Sequence, residues 1–178
     1  RSHLTDLMEQ VPSAPMLHEG IQQAYQSHAA VHRDQPGVST CVRANELEVG
    51  MASPQLTVVD ADRFMSNAQL QQEVFGPATL LVVCKDKEQL LAVAQTIEGQ
   101  LTCSVFGINE DFIEFQTLLQ FLPLRCGRLN YNMVPTGVEV LQSMHHGGPF
   151  PATTDARFTA VGSDAILRFA RPVSYQNC

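Results

Sequence analysis

Ala78-Thr79-Leu80-Leu81-Val82-Val83-Cys84 reads as a continuous apolar run, the pattern of a strand buried on both faces of a parallel sheet. Asp86 follows it, with Gln89 three residues on, a spacing that predicts a capping box at the start of a helix. Leu90, Val93, Ala94 and Ile97 give that helix its inner stripe, and Gly99 is its stop. Residues 102–108 then read as a second strand. A second helix is predicted over 110–122, with two acids in its first turn and Pro123 after its end. Residues 128–133 read as a third strand. Strand, helix, strand, helix, strand with short joints predicts the α/β class: a parallel sheet with helical crossovers.

Upstream, Leu4, Leu7, Met8 and Val11 recur at three- and four-residue steps, which predicts a short amphipathic helix before Pro12. Ile21, Ala24, Tyr25, His28 and Ala29 repeat the pattern, and His32-Arg33 close that face before the turn at Gln35-Pro36-Gly37. Leu56-Thr57-Val58-Val59 is the clearest strand between 38 and 60. Downstream, 136–155 is rich in Gly, Pro, His and Thr and reads as a long irregular loop of the kind that often carries function. Ser163 is placed to cap a short helix over 164–169, with an extended piece after Pro172.

The chain has 178 residues, 44% hydrophobic and 16% charged, a composition that supports a globular core. Its 18 acidic and 11 basic residues give a net charge of -7 and no Lys/Arg cluster, so nucleic acid and anionic membrane surfaces are not expected partners. No apolar run approaches the ~18–20 residues that span a bilayer. The start, Arg1-Ser2-His3-Leu4-Thr5-Asp6, lacks the apolar core of a signal peptide. Cys41, Cys84, Cys103, Cys126 and Cys178 form no CxxC pair, and their odd number precludes a complete set of internal disulfides. The expected setting is reducing and cytoplasmic.

Gln72-Glu73-Val74-Phe75-Gly76-Pro77 places a carboxylate and an aromatic ring two residues apart, just before the first apolar strand. In an extended chain both point to one face. The carboxylate's two oxygens can take both hydroxyls of a ribose diol, and the ring offers a flat wall to a nicotinamide or its sugar. An exposed Glu beside a core Phe at a strand entrance is the other reading, and residue chemistry leaves both open. His145-His146 with Asp155 suggests a metal site, yet adjacent histidines diverge and no third ligand has zinc spacing, so no metal is expected. A cysteine hydrolase using Cys103 or Cys126 with His145 has no motif behind it.

The 72–77 segment resembles the E-E-x-F-G-P motif of aldehyde dehydrogenases, with Gln72 replacing the first glutamate. Leu101-Thr102-Cys103-Ser104-Val105-Phe106 is similar to that family's "GLTASVF" strand, and Gly127-Arg128-Leu129-Asn130-Tyr131-Asn132 to its "GxVxVN" strand. Gly147-Gly148 occupies the place of its late Gly-Gly turn. Pro135-Thr136-Gly137-Val138-Glu139-Val140, the stretch from His145 to Asp155, and Arg171-Pro172-Val173-Ser174-Tyr175-Gln176 resemble one subgroup. That subgroup contains the α-ketoglutaric semialdehyde dehydrogenases and a related bacterial fatty-aldehyde dehydrogenase. The resemblance extends over essentially the whole chain.

It implies a partial aldehyde-dehydrogenase-like catalytic domain over 1–170, with the start of an oligomerisation strand at 171–178. It further implies NAD or NADP as cofactor, an aldehyde as substrate, homo-oligomers, and the remainder of a dehydrogenase chain as partner. Glu73 would hold the nicotinamide ribose, Phe75 would pack beside it, and His146 would line the substrate entrance. The family's nucleophilic cysteine, in a G-Q-x-C-T-like motif, and its general-base glutamate have no counterpart here. Met16-Leu17-His18-Glu19-Gly20-Ile21 resembles a stretch that follows that cysteine. The Gly-rich turn and the dinucleotide-binding strands also have no match. The catalytic residues are therefore expected outside the chain, and no dehydrogenase activity is expected from it alone. A non-catalytic role in folding or subunit contact is the alternative.

Overall fold

The computed structural model describes residues 2–43, 48–135, 137 and 140–177. Of the residues that carry the sequence readings, Arg1, Thr136, Val138, Glu139 and Cys178 lie outside the described set. The chain forms two compact units, Arg1–Val93 and Ala94–Cys178.

The first unit opens with α1 (Ser2–Glu9), the two-residue β1 (Ala14–Pro15) and α2 (Glu19–Arg33), the two helices the periodicity predicts. β2 (Ser39–Val42), β3 (Met51–Ala52), β4 (Gln55–Asp60), α3 (Ala61–Ser66), a 3₁₀ turn at Ala68–Gln71 and β5 (Ala78–Val83) follow. β1 pairs antiparallel with β3. β4 lies between β2, which runs antiparallel to it, and β5, which runs parallel from Gln55↔Ala78 to Asp60↔Val83. α3 therefore sits in the crossover that a parallel pair requires.

The strand expected to be buried on both faces is not β5. Thr79 is exposed and Val83 is 52% exposed, because β5 pairs on one side only among the described residues. β4 takes the central position, with five of its six residues buried. Its polar members are partly compensated: Gln55 donates from Nε2 to the Ala29 carbonyl at 3.0 Å while its Oε1 has no partner among the described residues, and Thr57 reaches the Thr79 carbonyl at 3.5 Å.

Tyr25, Ala29 and Ala52 form a buried cluster against which Met16, Val74 and Ala78 pack. The Tyr25 hydroxyl donates to the Ser53 carbonyl at 2.7 Å and lies 3.4 Å from that of Pro77. Burial pushes its pKa from 10 up to about 12. A group raised on folding contributes stability that is complete below pH 10 and is lost as pH rises through 12. We expect Tyr25→Phe to cost about 1 kcal/mol at neutral pH, from the lost hydrogen bond. It should also flatten the fall in stability between pH 10 and 12. Urea unfolding of both proteins across that range checks this, and equal alkaline slopes would refute it.

α4 (Lys87–Thr96) runs across the boundary between the units. Half of its predicted box is present: Gln89 N–H donates to Asp86 Oδ1 at 2.8 Å, while the return bond comes one residue earlier, Gln89 Oε1 accepting from Lys85 N–H at 2.9 Å. In the second unit, β6 (Gln100–Val105) and β7 (Cys126–Tyr131) form a separate parallel pair. The helix expected over 110–122 is divided into α5 (Asn109–Glu114) and α6 (Gln116–Phe121) at Phe115, whose φ of −99° and ψ of 25° interrupt it. The periodicity misses the break because both halves keep the apolar spacing. Asn132 ties the two strand ends together: its Oδ1 accepts from Gly107 N–H at 2.8 Å and its Nδ2 donates to the Gly107 carbonyl at 2.9 Å. Residues 140–162 contain no helix or strand, as the sequence implies, and Ser163–Phe169 forms a 3₁₀ helix. Its cap position falls on Gly162 instead of Ser163, so the expected side-chain cap is absent.

Candidate functional site

Residues 73–75 form an irregular connection between the 3₁₀ turn and β5. Val74 packs inward on the Tyr25 cluster, and its two neighbours, Glu73 and Phe75, are exposed, Phe75 by 63%. One side in and two out is the alternation expected of an extended chain. The Glu73 carboxylate makes no hydrogen bond or ion pair among the described residues, so its acceptor capacity is open. Of the two readings the residues allowed, Phe75 is therefore not a core side chain.

The corner that follows is fixed from α2. A Cβ on Gly76 would overlap the Tyr25 ring, and its φ of +154° is one that L side chains rarely adopt. The Pro77 carbonyl accepts from Gln55 N–H at 2.9 Å as well as approaching the Tyr25 hydroxyl. Tyr25 thus locks the turn through which the Glu73–Phe75 segment enters β5. Sequence reading assigned Tyr25 only to a helix stripe and missed this link.

A cavity of about 330 Å³ beside Glu73 is lined by His28, Val31 and His32 of α2 together with Gln69 and Gln72. His32 is 7% exposed. Its pKa is lowered chiefly by burial, with His28 acting the same way and the main chain of Gln69 and Gln72 opposing both. Neither histidine was singled out for function from the sequence.

Glu73 and Phe75 belong to the first unit and His146 to the second. His146 is half-buried and held by its main chain: its N–H donates to Thr159 Oγ1 at 2.9 Å, and its carbonyl accepts from Ala160 N–H at 3.0 Å. Asp155 is engaged by Arg157 at 2.6 Å, which holds its carboxyl down at about 2. Among the described residues, no three His, Cys, Asp or Glu side chains are grouped to hold a metal ion.

Cys84, Cys103 and Cys126 are not activated nucleophiles. Burial pushes Cys103 and Cys126 up, and burial with the nearby Asp86 does the same to Cys84. A reactive thiol needs the opposite shift. We expect iodoacetamide at neutral pH to modify Cys103 and Cys126 far more slowly in the folded protein than after unfolding, as peptide mass spectrometry would read. Equal rates in the two states would reopen the hydrolase reading.

No family model matches the chain. It is 39% identical over 165 residues to an alpha-ketoglutaric semialdehyde dehydrogenase of Acinetobacter baylyi, covering 91% of this chain and 31% of that protein. It is 40% identical over 167 residues to alpha-ketoglutaric semialdehyde dehydrogenase 2 of Azospirillum brasilense, covering 93% and 32%. The chain thus spans about a third of the length of these curated relatives. Among solved structures, a lactaldehyde dehydrogenase superposes on 94% of the chain, and 35% of its own, with a TM-score of 0.67 at 15% identity. The Delta-pyrroline-5-carboxylate dehydrogenase of Mycobacterium tuberculosis superposes on 86%, and 28% of its own, with a TM-score of 0.65 at 20% identity. The structures carry the fold and the two curated relatives carry the sequence, and together they make this chain part of a member of the aldehyde dehydrogenase superfamily.

Proposed function

We propose that these residues belong to a cytoplasmic, oligomeric NAD(P)-dependent aldehyde dehydrogenase, with α-ketoglutaric semialdehyde as the candidate substrate and a carboxylic acid as product. The nicotinamide, when bound, accepts a hydride from the substrate carbon. This chain's share is placement. Glu73 accepts hydrogen bonds from the ribose hydroxyls, and Phe75 gives the ring and sugar an apolar wall. His146, fixed by its main chain, lines the substrate entrance, and 171–178 begins the strand that joins subunits.

The observation that carries this reading is the pairing of an unengaged carboxylate with an exposed phenyl ring, two residues apart, on a turn held by Tyr25. Such a group binds a diol without breaking an existing interaction. The 178 residues by themselves turn over no aldehyde, because the family's nucleophilic-cysteine motif has no counterpart in them and proximity cannot replace a missing group. The direct test is amide shift mapping of the isotopically labelled chain with nicotinamide mononucleotide. Perturbations centred on 72–77 support the reading, and shifts confined elsewhere, or none, overturn it.

A further inference from the structure

Tyr25, on the buried face of α2, is 1% exposed. A methyl on Gly76 would fall on Cγ, Cδ2 and Cε2 of its ring, so the ring fills the space that a side chain at that corner would take. Val74, on the other side of Phe75, packs on the cluster of Tyr25, Ala29 and Ala52. The Tyr25 hydroxyl has one proton, and the shorter of its contacts, 2.7 Å to the Ser53 carbonyl, takes it; the Pro77 carbonyl lies at 3.4 Å. That bond anchors the ring at its far end. The 48–51 segment leading to Ser53 is itself pinned by Gln22, one turn earlier in α2 and 4% exposed. Gln22 Nε2 donates to the carbonyls of Glu48 at 3.0 Å and Met51 at 2.7 Å, and its Oε1 accepts from Gly50 N–H at 2.7 Å.

We infer that Tyr25 is a positioning residue for the cofactor site: its ring seats the Gly76 corner and so sets where the Glu73 carboxylate and the Phe75 ring stand. The inference rests on the reading of those two side chains as the ribose and nicotinamide contacts. The Glu73 carboxylate makes no hydrogen bond or ion pair among the described residues, so the main chain that carries it sets its place. That main chain meets the buried cluster at Val74 and the Tyr25 ring at Gly76, the two residues that flank Phe75. A flat, stiff ring holds such a corner at one distance from the helix, where a flexible side chain would let it drift. Gln22 holds the anchor of that ring, and the ring holds the corner.

The test compares Tyr25→Leu, which removes the ring, with Tyr25→Phe, which keeps the ring and loses its anchor. Affinity for nicotinamide mononucleotide is read from signals of the folded chain alone, so a loss of stability does not by itself move it. Tyr25→Leu should weaken binding on the order of tenfold, as for one lost hydrogen bond, and Tyr25→Phe should retain most of the parent affinity. Gly76→Ala drives a methyl against the ring, so combining it with Tyr25→Leu should cost less affinity than the two single changes together. Parent affinity in Tyr25→Leu, or strict additivity in that pair, overturns the inference. Glu73→Gln separates the two claims. If it weakens binding while Tyr25→Leu does not, only the inference fails; if it leaves binding unchanged, the Glu73 reading fails and the inference with it. The unmutated chain decides independently of how the variants fold. One Gly76 α-proton points at the ring and should resonate well upfield of the other; two α-protons at equal, ordinary shifts overturn the seating.

Discussion

Glu73→Gln in the complete dehydrogenase slows the hydride-transfer step by about ten- to a hundredfold, the range that follows from 1.5–3 kcal/mol for a hydrogen bond to a charged acceptor. The lower end is the better expectation, since the amide oxygen still accepts one hydroxyl. Dinucleotide affinity changes much less. In the proposed arrangement the adenine side is gripped elsewhere, and these residues contribute nothing to it. The effect belongs in the chemical step because Glu73, in the proposed arrangement, fixes the sugar that carries the reacting ring, and misplacement by about 1 Å can cost a hundredfold. Pre-steady-state absorbance of the reduced cofactor, read beside its dissociation constant, gives the split. A fall in affinity alone, with the hydride step untouched, would mean that Glu73 only grips. An unchanged enzyme would remove Glu73 from the site altogether.

The elements that could be read from sequence were those whose physics is local. The helix Glu19–Arg33 shows because its buried positions recur at helical spacing, and the α4 start shows because Asp86 and Gln89 cap it from three residues apart. The exposed turn after Glu73 and Phe75 was legible because Gly76-Pro77 follows them, while their proposed roles come from the resemblance of the six-residue motif. The rest depends on partners distant in sequence. β4 does not look like a doubly buried strand, since Gln55 and Thr57 interrupt its apolar pattern. Their hydrogen bonds to Ala29 and Thr79, which offset part of the cost of burying them, join residues far apart in sequence. β5 has the apolar pattern and is not the centre, because pairing order is a property of the sheet and not of one segment. Tyr25 and His32 sit in a helix stripe indistinguishable from ordinary core positions. Nothing local shows that one meets Gly76 and the other lines a cavity beside Glu73.

Gly127→Ala should destabilise the second unit by about 3 kcal/mol or more, at the upper end of overpacking effects. The added methyl would overlap the Gly147 carbonyl and come within 3.0 Å of the Gly148 Cα, both backbone atoms. Neither has room to retreat. Gly148 is itself pressed on the Gln100 carbonyl of β6, and Gly99 faces the carbonyls of Pro149 and Phe150. The 147–150 segment therefore crosses the β6–β7 pair at backbone contact, and three glycines admit it. This gives the late Gly-Gly pair a physical reason: side chains there would lift the segment, and the His146 main chain next to it, off the strands. Gly20→Ala is the control. Its methyl meets only the movable His18 ring at 3.2 Å, and helix propensity offsets the contact by up to about 1 kcal/mol. Urea unfolding followed through amide signals of β6 and β7 reads the second unit separately from the first. A Gly127→Ala midpoint equal to that of the parent would show that the 147–150 segment does not press on β7, and the tie between His146 and the strands would fall with it.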